Sequence, residues 1–200
     1  MRIKIFNTEI FITFGFSAFL ALLLVVDRTG YLIPIFFAVI THELGHLIAM
    51  LLLSCAPKSV TLRPFHIDIS GFVPKTYKDR GLIAASGIIT NAFFFIIFYL
   101  LYKIIYNNYL LIYSAASFAV MLINALPCIG LDGGDILFLS LNLFFNKEKS
   151  LFILKIISVI VALFIMLVAI FGILNITKNI PMFIFGVYII ICTALAKGEV

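Results

Sequence analysis

Charge is what this sequence has least of. Of its 200 residues only 12% are charged while 64% are hydrophobic, and the mean hydropathy is +1.24. Soluble domains carry about 25% charged residues, so a soluble globule is excluded and a polytopic membrane protein is expected. Cysteine is also scarce: Cys55, Cys128 and Cys192 stand far apart with no CxxC pair, which argues against a disulfide framework and for buried free thiols. There are only three histidines, His42, His46 and His66, too few for a membrane di-iron hydroxylase. Repeats at solenoid periods and low-complexity tracts are absent. The net charge of +5 is read as loops that face the cytoplasm, with no nucleic-acid partner.

The apolar runs predict an all-α fold in a single domain, 1–200, with six transmembrane helices at 6–26, 32–55, 82–101, 109–145 (broken at 127–134), 151–174 and 181–196. The run at 10–26 follows Arg2 and Lys4 as a signal peptide would, but lacks a small-residue cleavage site, so it is read as a retained first span. Pro57 is expected to stop the second helix. The polar stretch 58–80 alternates with the period of strands at 60–63 and 66–70, which predicts a small hairpin or curved sheet at the membrane surface. No soluble domain is expected after the sixth span. Six spans place eleven Lys and Arg residues on one side (Arg2, Lys4, Lys58, Arg63, Lys75, Lys78, Arg80, Lys147, Lys149, Lys155, Lys197). Arg28, Lys103 and Lys178 fall on the other. Both termini are therefore expected in the cytoplasm.

Against this apolar background, Thr41-His42-Glu43-Leu44-Gly45-His46 sets polar side chains in the middle of the second span. Positions four apart share a helix face, so His42 and His46 can offer two imidazole nitrogens to one zinc ion. Glu43, one residue round, would reach a water and not the metal. That is the division of labour of metal-assisted hydrolysis, in which a metal acidifies water and a carboxylate takes its proton. The motif also arises by chance on soluble helices. Within a bilayer, however, a charged residue costs about 2.5–3.5 kcal/mol on insertion scales, so such residues mark function. His46 lies nine residues before Cys55, about 14 Å of helix, which sets the site inside the bilayer towards the cytoplasmic face.

Catalytic zinc usually has three protein ligands and an open position. The fourth span breaks at Asn124-Ala125-Leu126-Pro127-Cys128-Ile129-Gly130-Leu131-Asp132-Gly133-Gly134-Asp135. Non-helical backbone at membrane depth is tolerated only where protein or a water-filled cavity covers it, so the break argues for a site. Asp132 is the stronger candidate for third ligand, because the glycines beside it permit a sharp turn; Asp135 is the reserve, with a role as helix cap open to it, and His66 lies in the polar segment. Ser86, Gly87 and Asn91 of the third span have the plainer reading of helix-contact residues.

His42-Glu43-Leu44-Gly45-His46 together with Asn124-Ala125-Leu126-Pro127 and Leu131-Asp132-Gly133-Gly134 resembles the site-2 protease family of intramembrane zinc metalloproteases. The likeness is to its compact six-span branch, similar to the protease that processes a membrane-tethered sigma-factor precursor in sporulation. The resemblance implies His42, His46 and Asp132 as zinc ligands and Glu43 as general base, with Asn124 and Pro127 positioning the substrate. It also implies a bacterial cell membrane, a membrane-tethered protein substrate and a possible membrane regulator. This chain has Gly130 where the family has a second proline, and Gly87-Ile88-Ile89-Thr90-Asn91 where the family often has Gly-Pro near an Asn. The segment 56–80 is too short for the PDZ domain of other branches.

Rival readings meet the same residues. A serine intramembrane protease needs a histidine partner that Ser86 lacks in the spans. An aspartyl one wants Gly-x-Gly-Asp, whereas Asp135 follows Asp132-Gly133-Gly134. The alternative of a different class is a transporter or channel that uses Glu43, Asp132 and Asp135 along a broken helix.

Overall fold

Thr8–Ile12 (Thr-Glu-Ile-Phe-Ile) is rich in β-branched and aromatic residues, and in the computed structural model it is a strand, not the start of a helix. That moves the start of the expected first span, 6–26, past Ile12; its described residues 14, 15, 17, 18, 22 and 25 are helical. The structure describes residues 2–5, 8–15, 17–18, 22, 25, 27, 29–62, 67–71, 74–174 and 180–196, and most of the rest of that expected span lies outside them. Strand β1 (Arg2–Ile5) pairs antiparallel with β2 (Thr8–Ile12), in the register Arg2 to Phe11. Strand β2 pairs parallel with β3 (Ser59–Leu62), and β3 pairs antiparallel with β4 (Ile67–Ser70). The predicted hairpin is thus half of a four-stranded sheet ordered β1-β2-β3-β4. A parallel pair needs a long crossover, and the one between β2 and β3 contains helix α1 (Leu32–Leu52).

Two compact units divide the chain, residues 1–122 and 123–200. The first holds the sheet, α1, α2 (Tyr77–Ile105) and most of α3 (Asn108–Asn124). Asp27 prepares the start of α1: its Oδ2 accepts the Leu32 N–H at 2.9 Å and its Oδ1 accepts from Thr29 N–H and Gly30 N–H. The helix stops at Leu53, where Ser54 takes a left-handed φ of 55° and Cys55 N–H returns to the Met50 carbonyl at 2.9 Å. Helix α2 starts five residues before the expected 82, because Thr76 and Asp79 form a reciprocal capping box. Gly45 lets α1 approach α2 closely, since a Cβ there would strike the Thr90 hydroxyl and come 2.8 Å from the Ser86 carbonyl. Met50, Cys55 and Ile83 pack beside this crossing. Phe37, with Phe94, Phe98 and Tyr113 at centroid distances of 5.3, 5.5 and 5.5 Å, joins α1, α2 and α3.

The second unit holds the break at 125–131, α4 (Asp132–Leu141), α5 (Lys147–Leu174) and α6 (Ile180–Leu195). Buried Ser158 of α5 braces the break: its hydroxyl donates to the Leu154 carbonyl at 2.8 Å and accepts the Ile129 N–H at 3.0 Å. Cys128 packs with Ala162, Ile165 and Ile189, and Ile129 with Phe138 and Leu154.

Among the described residues three helical stretches are long and apolar enough to cross a membrane: Leu32–Leu52, Tyr77–Ile105 and Lys147–Gly172. Helices α3 and α6, of 17 and 16 residues, are apolar but shorter. Exposed positions on these elements are themselves apolar, such as Ile33, Leu44 and Ile48 of α1, Ile89 and Phe93 of α2, and Phe164 and Phe171 of α5. Their buried positions include Thr41, His42, His46, Asn91 and Ser158. Polar inside and apolar outside is the distribution of a membrane protein, mostly helical but with a sheet.

Candidate metal centre

The four-residue spacing of His42 and His46 puts both rings on the buried side of α1, 4% and 8% exposed. Their planes meet at 88°, and the two Nε2 atoms lie 3.2 Å apart. Each ring is held at its other nitrogen by α2. Nδ1 of His46 lies 2.7 Å from the Ile83 carbonyl, which can only accept, so Nδ1 carries the proton and Nε2 a lone pair. Nδ1 of His42 lies 3.2 Å from the amide nitrogen of Asn91, which is fully buried. Holding a ligating imidazole by its far nitrogen is how metal sites fix ring orientation.

Ile83, Gly87 and Asn91 recur every four residues, so one face of α2 supplies all three contacts. Gly87 makes the space, because a Cβ there would come 2.5 Å from His46 Nε2 and 2.7 Å from His42 Cε1. The residues fit a metal on two observations: the convergent Nε2 pair, and the cradle that any side chain at position 87 would fill. Glu43, the residue after His42 on α1, is half-buried.

In the second unit, Asn124 is the last residue of α3, Pro127 stands in the break, and both are half-buried. Asp132 is the first residue of α4, not part of an open turn, and Gly133 and Gly134 continue the helix. Their lack of a Cβ is what counts: a Cβ on Gly133 would strike the Ala125 and Leu126 carbonyls, and one on Gly134 the Cys128 carbonyl. The glycine that turns the chain is Gly130, at φ +87°, a value closed to proline. Asp135 is not the N-cap residue itself. The N-cap is Leu131, with no side-chain cap hydrogen bond, and Asp135 sits in the first turn. His66 lies outside the described residues.

Sequence reasoning gave Gly87 and Asn91 a generic packing role and passed over Ile83. A buried amide four residues after a glycine, on a helix facing a histidine pair, was a signal for the first two. A backbone carbonyl leaves no trace in residue types.

No protein-family model matches the chain, and no curated protein matches it. Among solved structures, the site-2 protease from Methanocaldococcus jannaschii superposes with a TM-score of 0.64 over 97% of this chain and 93% of that one, at 20% identity. At that identity the likeness is one of fold, and the chain has the fold of that site-2 protease.

Proposed function

We propose that this chain is an intramembrane zinc metalloprotease of the site-2 protease family. The observation that carries the reading is the buried His42–His46 pair, with convergent Nε2 atoms and Glu43 beside it, on an apolar helix long enough to cross a membrane. The Leu131-Asp132-Gly133-Gly134 motif supplies Asp132 as the third ligand; two imidazoles and a carboxylate are a set that catalytic zinc takes. When bound, the metal supplies Lewis-acid polarisation of the scissile carbonyl and acidifies the attacking water. Glu43 takes a proton from that water as it attacks and delivers a proton to the amine released when the C–N bond breaks. Asn124 and Pro127 position the substrate chain.

The substrate is a membrane-tethered protein, cut within or beside its transmembrane segment in regulated proteolysis. A helix hides its carbonyls, so the substrate must open locally, and a sheet edge can take up the opened stretch by strand addition. The eleven-to-three distribution of Lys and Arg favours a site that opens towards the cytoplasm. Co-expression with a panel of membrane-tethered transcription regulators tests the reading. Cleavage is expected with the native chain and none with Glu43→Gln, and ion movement by zinc-free protein would contradict it.

A further inference from the structure

The buried amide of Asn91 stands between two groups of α1. Its nitrogen end is 3.2 Å from His42 Nδ1 and its oxygen end 3.2 Å from the Thr41 hydroxyl. The ends of a carboxamide are nearly equal in size, so a half-turn exchanges them within the same space, but it exchanges a donor for an acceptor. The consequence falls on His42. With the amide nitrogen at Nδ1, that atom must accept, and the proton of the neutral ring sits on Nε2. Nε2–H then donates across 3.2 Å to His46 Nε2, whose lone pair is fixed there by the Ile83 carbonyl at Nδ1. In this state His42 has no Nε2 lone pair to give a metal.

With the amide oxygen at Nδ1, that atom is the donor, and His42 Nε2 presents its lone pair, the form in which a neutral imidazole ligates a metal. Thr41 accommodates either state. Its one hydroxyl hydrogen can go to the Phe37 or Ala38 carbonyl, each at 3.0 Å, or to the amide oxygen, and its lone pair can accept from the amide nitrogen.

We propose that Asn91 is a positioning residue that sets the tautomer of His42, its amide turning end for end as a metal enters or leaves the histidine pair. This rests on the reading of His42 and His46 as metal ligands. Metal-free protein then holds the His42 proton on Nε2, and metal entry is coupled to one side-chain rotation on α2.

The test uses the full-length chain as native protein, Asn91→Asp and Asn91→Leu. Aspartate accepts at both ends and holds His42 in the metal-ready tautomer, whereas leucine fills the space with neither function. Zinc affinity by chelator competition is expected to fall about 10–100-fold in Asn91→Leu and to stay within a few-fold of native in Asn91→Asp. Nitrogen-15 shifts of the metal-free imidazoles are expected to show His42 protonated at Nε2 in native protein and at Nδ1 in Asn91→Asp. Native-like affinity in Asn91→Leu, equal losses in both variants, or Nδ1–H on His42 in metal-free native protein would each overturn the proposal. Native protein that binds no zinc would overturn the metal-ligand reading instead, and the tautomer comparison of native with Asn91→Asp still decides the role of Asn91. That comparison also stands if Asn91→Leu does not fold.

Discussion

Gly87 of α2 faces His46 of α1 so closely that a single added methyl group would lie 2.5 Å from Nε2, inside any permitted contact. Alanine is preferred to glycine in a helix interior by about 1 kcal/mol, so Gly87→Ala should leave the helix intact or firmer. At this position the methyl displaces both imidazoles. We predict that Gly87→Ala keeps native helix content by circular dichroism and loses zinc by an order of magnitude or more. Native zinc content in the variant would show that the histidine pair is not the metal site.

Asp132, at the start of α4, is expected to be the third ligand, and Asp135, one turn on, is not. Losing one of three ligands weakens metal binding severely, whereas an acidic residue in a first helical turn contributes about 0.3–1 kcal/mol through the helix dipole. Asp132→Asn should therefore be depleted of zinc and inactive, and Asp135→Asn and His66→Ala should retain both. Zinc analysis of the three variants side by side checks this, and zinc kept by Asp132→Asn but lost from either of the others would reassign the ligand.

Helix α1 and its motif were legible because both signals are local: an apolar run bounded by polar residues, and two histidines at helical spacing. Helices α2, α5 and α6 fell within a few residues of their expected bounds, the differences arising at caps such as Thr76 and Asp79. The pairing of β2 with β3 was not legible. Residues 9–12 meet residues 59–62 across a separation of 50, and Thr8–Ile12 runs into an apolar stretch that reads as the front of a span. Around Asp132 the sequence showed that the chain breaks but not where it resumes. Paired glycines read as a turn, whereas here they are helical residues whose missing side chains clear the carbonyls of Ala125, Leu126 and Cys128.

Ser158 offers a test of how firmly the break is held. Serine-to-alanine removal leaves the buried Ile129 N–H without its acceptor, which costs about 1–3 kcal/mol. Ser158→Ala should lower the unfolding free energy by that amount and speed amide exchange at Ile129. Unchanged exchange at Ile129 would mean that the brace does not hold the break.

Asp27 supplies a pH dependence outside the spans. The Thr29 hydroxyl, followed by the Leu32 and Thr29 N–H groups, lowers its carboxyl pKa from 3.8 to about 2. A folded-state pKa below the ordinary value means that its stabilisation is complete above about pH 4 and is lost as pH falls through about 2. Carbon-13 titration of the side chain should show a midpoint near the lower value, and Asp27→Ala should speed exchange of the Leu32 amide. A midpoint near 3.8 would show that the cap is not formed.

The central claim, that Glu43 and the histidine pair are the hydrolytic centre of a membrane-embedded protease, is tested most directly by Glu43→Gln. The substitution removes the proton acceptor and leaves both imidazoles in place. Zinc content and cleavage of a membrane-tethered substrate, measured on the same purified preparations, should show native zinc in the variant and turnover lower by at least 100-fold, the scale of general-base catalysis. Turnover at the native rate by zinc-loaded Glu43→Gln would contradict the account.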